Sequence, residues 1–211
     1  MGLRETNKER RRSSIIKTAK AFFVEKGFNA VHMQEIADAE GIGIATLFRY
    51  FPKKEQLILA AAISIMESEA DAFKNILNHP DKTAYEKIED CFDYMKGIHI
   101  SPSANTAKFN DAFQVYIDNT TEPVENLLPY FEARRKIVDH FLQIIEQGKL
   151  DGTLHPERCT REKILPILNN FGIYTQKLTM SHSVLNISGD ITPSCQLETV
   201  SEIYLDYLKP Q

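Results

Sequence analysis

The architecture of this chain follows from Met33-Gln34-Glu35-Ile36-Ala37-Asp38-Ala39-Glu40-Gly41-Ile42-Gly43-Ile44-Ala45-Thr46-Leu47-Phe48-Arg49-Tyr50-Phe51-Pro52-Lys53-Lys54-Glu55. Met33, Ile36 and Ala37 share one face of a predicted helix that runs to Glu40, and Gly41 follows at its end. A second helix is predicted from about residue 44 to residue 51, where Pro52 stops it because the residue before a proline is pushed out of helical geometry.

These two short helices meet through a tight, glycine-containing turn, which is typical of a helix-turn-helix. The small side chains of Ala37 and Ala45 would let the helices approach closely. In a helix-turn-helix the second helix enters the major groove of DNA and the first crosses the backbone. The sequence therefore predicts sequence-specific binding to double-stranded DNA.

Helical patterns continue on both sides of this segment. A helix is predicted from Arg10 to Lys26, with Gly27 as a left-handed cap at its end, and a long helix from Glu55 to about Leu77. Further helices are predicted at about 83–98, 105–118, 122–148, 160–181 and 195–209, with a loop at 184–194. No segment alternates strictly enough to predict a strand, so the fold class is all-α. The predicted domains are a three-helix segment with the helix-turn-helix (1–54) and a larger helical segment (55–211).

The charge is distributed unevenly along the chain. The whole chain carries a formal charge of -4, yet residues 1–60 contain eleven Lys and Arg against seven Asp and Glu. The remainder is therefore acidic. A basic segment joined to an acidic one indicates that the first faces a polyanion.

Several classes of function are disfavoured by the composition. The longest nearly apolar run, Leu57 to Met66, is about half of the roughly 20 residues that span a bilayer, and no signal sequence is visible. The three cysteines show no metal-ligand spacing, the histidines are scattered, and no catalytic or phosphate-binding motif is present. We expect a cytoplasmic protein that is not an enzyme and has no membrane partner, no metal site and no cofactor.

The segment from Ile15 to Leu57 resembles the TetR family of bacterial transcriptional regulators. The resemblance rests on Phe-x-x-Lys-Gly-Phe at Phe23 to Phe28, Ile-Ala-x-x-x-Gly-Ile at Ile36 to Ile42, and Ala-Thr-Leu-Phe-x-Tyr-Phe-x-x-Lys-Glu-x-Leu at Ala45 to Leu57. It implies a DNA-binding head on a larger helical body that binds a ligand and dimerises.

The resemblance also implies roles for individual residues. Thr46 and Phe48 correspond to groove-facing positions of the recognition helix, with Ile44 and Ala45 at its entry. Tyr50 and Lys54 match positions that hold phosphate oxygens, and Gln34 is similar to positions that touch the backbone or a base edge. Two residues depart from the family pattern: Gly43 replaces a capping Ser, and His32 replaces a Thr that caps the preceding helix and touches phosphate.

Alternatives stay open for three of these features. Phe48 can meet a thymine methyl or pack on the neighbouring helix. Arg49 is either a base reader or a solvated charge. The run of Arg10, Arg11 and Arg12 is either the polar start of a helix or a contact to the DNA backbone or minor groove, and we expect such a contact from Arg11 and Arg12.

The body is rich in aromatic residues at helical spacing, and some of them are expected to line a cavity between its helices. The candidate ligand-binding residues are Tyr94, Phe113, Tyr116, Phe131, His140, Asn170 and Tyr174. For each polar one, the competing interpretation is a hydrogen-bonded core or surface group. The aromatic surplus favours an apolar or aromatic effector.

The sequence thus predicts a homodimeric repressor that binds a palindromic operator and is released by a small-molecule effector. Two other functions are compatible with parts of the pattern: a helical interaction protein without DNA specificity, and an activator of the same fold. The last two long helices are the expected dimer interface, and the long helix from Glu55 to Leu77 is expected to link effector binding to the head.

Overall fold

The structure, a computed structural model, describes residues 3–100, 104–119, 126–180 and 191–210, and every regular element within them is an α-helix. The all-α prediction is confirmed. In chain order the helices are α1 (Leu3–Lys26), α2 (Met33–Ala39), α3 (Ile44–Tyr50), α4 (Lys54–Leu77), α5 (Ala84–Ile100), α6 (Ala104–Asn119), α7 (Leu128–Asp151), α8 (Arg161–Met180) and α9 (Pro193–Leu208). None of these helices is long and apolar enough to span a bilayer.

Helix α1 begins seven residues earlier than the predicted start at Arg10. Hydrophobic periodicity could not show these turns, because the side chains of residues 5–11 are all exposed and the buried stripe begins only at Ile15. Glu, Lys and Arg are good helix formers, and the helix therefore continues beyond the segment that packs. Gly27 ends it with a φ of 78°, as predicted.

Helix α7 differs from its predicted range of 122–148 at both ends. Residues 122–125 lie outside the described part, and Asn126 has a left-handed φ of 65° that a helix cannot contain. At the other end Gly148 does not terminate the helix. It is buried inside α7, close to the side chain of Leu154, and the left-handed Gly152, at a φ of 75°, follows the last helical residue.

Helix α9 begins at Pro193, two residues before the predicted start. Thr192 caps it: the backbone N–H of Cys195 donates to Thr192 Oγ1 at 3.2 Å. The predicted loop at 184–194 is therefore wrong for its last two residues, and its first seven residues lie outside the described part of the chain.

The chain divides into two compact units, and the first comprises Met1–Glu67 with Lys108–Glu132. In it, α1 packs on α2, and α2 packs on α3. The buried apolar residues here come from these helices, from the start of α4 and from the connections: Ile15, Ala19, Phe23, Val31, Ile36, Ala37, Leu47, Phe51 and Leu57.

The second unit comprises Ser68–Ala107 with Ala133–Gln211. Helices α5, α8 and α9 pack on one another. The rings of Phe92 and Phe171 lie 4.6 Å apart between centroids, and the core around them includes Ile88, Phe141, Ile144, Ile164 and Leu208.

Candidate nucleic-acid interface

The connection between α2 and α3 is built from backbone hydrogen bonds and two glycines. Gly41 has a left-handed φ of 63°, which turns the chain out of α2, and the N–H of Ile42 donates to the carbonyl of Ala37 at 3.0 Å. Gly43 caps α3 through its carbonyl, which accepts from the N–H of Thr46 at 2.8 Å. This turn fixes α3 as a separate helix with one face free.

Helix α3 divides its side chains between the core and solvent. Leu47 is fully buried, whereas Ala45, Arg49 and Phe48 are exposed, Phe48 at 42%. Ile44, Thr46 and Tyr50 are half-buried. Among the α3 residues assigned to DNA from the sequence, Ala45, Phe48 and Arg49 are therefore exposed, and the other three keep only part of their surface in solvent.

Three polar contacts join α1 to the helix-turn-helix, and no pattern in the sequence predicted them. Glu40 Oε1 accepts from the hydroxyls of Ser14 at 3.1 Å and Thr18 at 2.5 Å. At the other end of α1, Lys26 Nζ lies 2.6 Å from Glu35 Oε1. Because these pairs join residues 9 to 26 positions apart, periodicity within one helix could not reveal them.

The start of α2 carries two residues considered in the sequence. His32 is exposed, and its backbone N–H donates to Glu35 Oε2 at 2.8 Å. The contacts to Lys26 and to this N–H hold the pKa of Glu35 below its ordinary value, the Lys26 hydrogen bond being the larger cause. Gln34 is exposed and donates to Asp38 Oδ1 at 2.7 Å along the same helix.

Lys54, the first residue of α4, is half-buried beside the connection between α1 and α2. Its ammonium group lies 3.5 Å from the carbonyl oxygen of Asn29. An ammonium has three donor hydrogens, so this one contact leaves Lys54 able to donate to an anion as well.

A groove of about 520 Å³ runs between the first turns of α1 and the outer side of α3. It brings together four residues predicted from the sequence and two that the sequence analysis missed. The predicted ones are Arg11, Thr46, Arg49 and Tyr50, and the additional ones are Asn7 and Lys8. Asn7 and Lys8 were missed because they lie in the turns of α1 that periodicity could not detect.

Arg12 is placed differently from Arg11. Its guanidinium carbon lies 5.2 Å from the centroid of the Phe51 ring, and the group is 4.0 Å from Glu9. Cation–π contact of this kind ties Arg12 to the core of the first unit. A DNA contact from Arg12 remains a prediction.

Three of the residues predicted to bind a ligand belong to an aromatic cluster in the first unit. Phe113 is buried, with its ring centroid 5.1 Å from that of Tyr130, which in turn lies 5.7 Å from Phe131. Tyr116 lies 6.0 Å from Phe28. Phe131 is 52% exposed.

The other four predicted ligand residues lie in the second unit. Tyr94 packs edge-on against Phe73 at 6.0 Å, and burial raises its pKa to about 12. The Tyr174 hydroxyl donates to Gln196 Oε1 at 2.9 Å, and Asn170 is exposed. His140 Nδ1 is buried and has no hydrogen-bond partner among the described residues.

Comparison with known sequences identifies the segment that contains α2 and α3. Residues 15–61 match the family described as bacterial regulatory proteins, tetR family. The chain is 25% identical over 193 residues to the uncharacterized HTH-type transcriptional regulator YvkB of Bacillus subtilis strain 168, covering 88% of this chain and 89% of that protein. It is 37% identical over 57 residues to the HTH-type transcriptional repressor KstR of Mycobacterium tuberculosis, covering 27% of this chain and 26% of that protein.

Solved structures show the same fold over nearly the whole chain. A tetR-family transcriptional regulator from Mesorhizobium loti aligns with a TM-score of 0.71 at 15% identity, covering 96% of this chain and 98% of that one. A TetR family protein from Vibrio parahaemolyticus aligns with a TM-score of 0.63 at 20% identity, covering 95% and 100%.

Proposed function

We propose that the chain, whose residues 15–61 match the tetR family of bacterial regulatory proteins, is a DNA-binding transcriptional regulator. In this proposal it is a homodimeric repressor that leaves a palindromic operator when an effector binds. The observation that carries the proposal is the division of α3, with Leu47 buried and Ala45, Phe48 and Arg49 exposed. A helix held in this way can enter a major groove without disturbing the core.

The relative KstR is named as a transcriptional repressor, and this favours repression over activation for the present chain. The sign of regulation also depends on where the operator lies relative to the promoter. A reporter that keeps the operator at its natural position relative to the promoter, measured with and without the chain, distinguishes the two: repression lowers the signal and activation raises it.

A homodimer is supported by apolar side chains that lie exposed on the last two helices. Ile173 of α8 and Ile203 of α9 are 57% and 59% exposed. One recognition helix contacts too few base pairs for high specificity, whereas two related by a two-fold axis bind half-sites about 34–36 Å apart.

The effector is proposed to be a small apolar or aromatic molecule with one polar group. His140 Nδ1 supports the polar group, because a buried nitrogen without a partner is costly and a bound ligand can supply the missing hydrogen bond. The same proposal includes the domain division at residue 54. It also includes ligand roles for Tyr94, Phe113, Tyr116, Phe131, Asn170 and Tyr174.

Selection from a random-sequence pool of DNA duplexes tests the function. The full chain should enrich a palindrome whose half-site centres lie about 10–10.5 base pairs, or a multiple of that spacing, apart. Thr46→Ala should relax the preference within each half-site, whereas Lys54→Ala should weaken binding to all sequences alike. Failure of the wild-type chain to enrich any sequence would contradict the proposal.

Effector release is tested with the operator so obtained. Small apolar and aromatic molecules are first screened for those that raise the melting temperature of the protein, since a ligand that binds the native state stabilises it. A stabilising molecule should then lower operator affinity, and it should lose its stabilising effect in His140→Phe. A binder that leaves operator affinity unchanged would contradict effector release for that molecule.

A further inference from the structure

The first turns of α1 form a separate feature that the matched family segment does not include, since that segment starts at residue 15. We call residues 5–11 the N-terminal arm. Its side chains are all exposed, and none of them belongs to the buried core. The arm nevertheless has a defined neighbour, because Asn7, Lys8 and Arg11 line one groove with α3.

The spacing of the lining residues explains how two helices form this groove. Asn7, Lys8 and Arg11 stand at positions i, i+1 and i+4 of α1, and therefore share one side of that helix. Thr46, Arg49 and Tyr50 stand at i, i+3 and i+4 of α3 and share one side of it. The groove lies where these two sides border each other.

The groove is lined by side chains that donate hydrogen bonds. Each of its six lining side chains carries at least one N–H or O–H group, three of them are cations, and none is acidic. Within the described part of the chain, Lys8, Arg11 and Arg49 have no carboxylate within 4.0 Å. Arg12, by contrast, lies over the Phe51 ring. Negatively charged oxygens that only accept hydrogen bonds fit such a groove, and phosphate oxygens are of this type.

On the basis of the proposed DNA-binding function, we propose that this groove holds neighbouring phosphates of the operator backbone, contacted by Lys8 and Arg11 of the arm and by Arg49 of α3. The groove shares Thr46, Arg49 and Tyr50 with α3, the helix that enters the major groove. A strand bordering the major groove therefore passes beside the arm. In this assignment Arg49 positions the DNA and is not a base reader.

Salt dependence measures such contacts directly. The logarithm of affinity falls with the logarithm of salt concentration with a slope of about -0.9 for each phosphate that the protein neutralises. Each cation lost from the groove should therefore make the slope shallower by about 1, and a contact to the backbone should weaken binding to every sequence by the same factor.

The test uses the full chain and two labelled duplexes, the one selected by the wild type and a mixed-sequence duplex of the same length. Binding is measured by fluorescence anisotropy across a range of KCl concentrations. Each substitution removes one cation from both protomers of the proposed dimer, so Lys8→Gln and Arg49→Gln should each make the slope shallower by about 2, and the double variant by about 4. The loss for Lys8→Gln should be equal on the two duplexes.

Lys17→Gln is the matched control. Lys17 is an exposed lysine of the same helix and does not line the groove. This variant removes the same charge, and its slope should equal that of the wild type. Equal melting temperatures for the two lysine variants establish that both are folded.

Three results would overturn the inference. An unchanged slope in Lys8→Gln shows that the arm does not contact the backbone, while wild-type binding to the selected duplex leaves the proposed function intact. An equal change in Lys17→Gln shows that only net charge acts. The third result combines two measurements. Inorganic phosphate raises the melting temperature of the wild type relative to KCl of equal ionic strength but not that of Lys8→Gln, while the DNA-binding slope of Lys8→Gln is unchanged. The groove would then be a site for free phosphate. If the wild type binds no duplex, the proposed function fails together with the inference.

Discussion

Two glycines separated by one residue lie between α2 and α3, and only one of them has a backbone conformation that favours glycine. Gly41 adopts a left-handed φ of 63°, which side chains with a Cβ disfavour. Gly43 has an ordinary φ of -66°, and a Cβ added there meets no atom within 4 Å. Only the first of the two needs to be glycine.

Serine at these two positions should therefore change stability in opposite directions. Gly43→Ser places a capping hydroxyl at the start of α3 and should raise the free energy of unfolding by a few tenths of a kcal/mol. Gly41→Ser should lower it by about 1 kcal/mol because of the left-handed backbone. Urea unfolding of both variants measures the difference, and an equal loss at both positions would contradict the assigned cap.

Glu35 makes the stability of the head dependent on pH. Its pKa is held down chiefly by the hydrogen bond from Lys26 and also by the His32 N–H, so folding favours the ionised carboxylate. That stabilisation is present above the unfolded pKa near 4.5 and is lost as the pH falls through the lower folded value.

Comparison of the wild type with Glu35→Gln measures this contribution. The difference between their free energies of unfolding should be largest at about pH 7 and should shrink as the pH falls below the unfolded pKa of 4.5, because protonation then removes the carboxylate from the wild type as well. Asp38→Gln serves as a control, because it removes a carboxylate from the same helix that is not paired with Lys26. A difference independent of pH would show that the Lys26 contact does not hold the ionised form.

At the scale of single residues, local signals predicted local structure. The left-handed cap at Gly27 was predicted from the sequence and is confirmed, and Ile36 and Ala37 of the predicted apolar face are buried. The bonds from Ser14 and Thr18 to Glu40 were not predicted, because a pair 22 or more positions apart leaves no periodic trace in the sequence.

Among the helices, α7 shows why a glycine can mislead. Gly148 lies inside the helix, where a Cβ would collide with the side chain of Leu154 and stand 3.0 Å from the Cβ of Ala84. The glycine is there for close packing and does not end the helix, since Gly152 supplies the left-handed residue. The sequence alone does not distinguish these two uses of glycine.

Alanine at Gly148 should consequently destabilise the protein although alanine favours helices. We expect a loss of about 1–3 kcal/mol from overpacking against Leu154. Gly97 of α5 provides the control, because a Cβ there meets nothing within 4 Å, and Gly97→Ala should gain up to about 1 kcal/mol from helix propensity. Thermal or urea unfolding distinguishes the two, and a gain at Gly148 would refute the close approach.

Helix boundaries were predicted well where an apolar stripe accompanied them. Helix α4 was predicted from Glu55 to about Leu77 and runs from Lys54 to Leu77, because its buried face continues along nearly its whole length. The start of α1 was missed because the arm packs on no core. Hydrophobic periodicity reveals only those helical turns that bury side chains, so fully exposed turns cannot be predicted from it.

For the whole molecule, the association of two chains is the principal prediction. The last two helices expose Ile173 and Ile203, and burial of such side chains against a second copy stabilises a dimer. Ile203→Asp should therefore shift the molecular mass in solution from that of a dimer towards that of a monomer. Light scattering at micromolar concentration measures this.

Leu150→Asp is the matched control for this experiment. Leu150 is 88% exposed on α7, outside the last two helices, and its replacement should leave the mass unchanged. A monomeric wild type would refute the dimer, and an Ile203→Asp variant that stays dimeric would place the interface elsewhere.

The position of the N-terminal arm has an evolutionary consequence. Substitutions in α3 act on both fold and binding, because Leu47 and the exposed residues share one short helix. Residues 5–11 contribute nothing to the buried core, so substitutions there should change the stability of the protein little. Selection against unstable variants therefore removes few of them. Under the proposed backbone contacts, substitutions in the arm change overall affinity while α3 keeps its sequence, so that affinity and sequence preference can evolve separately.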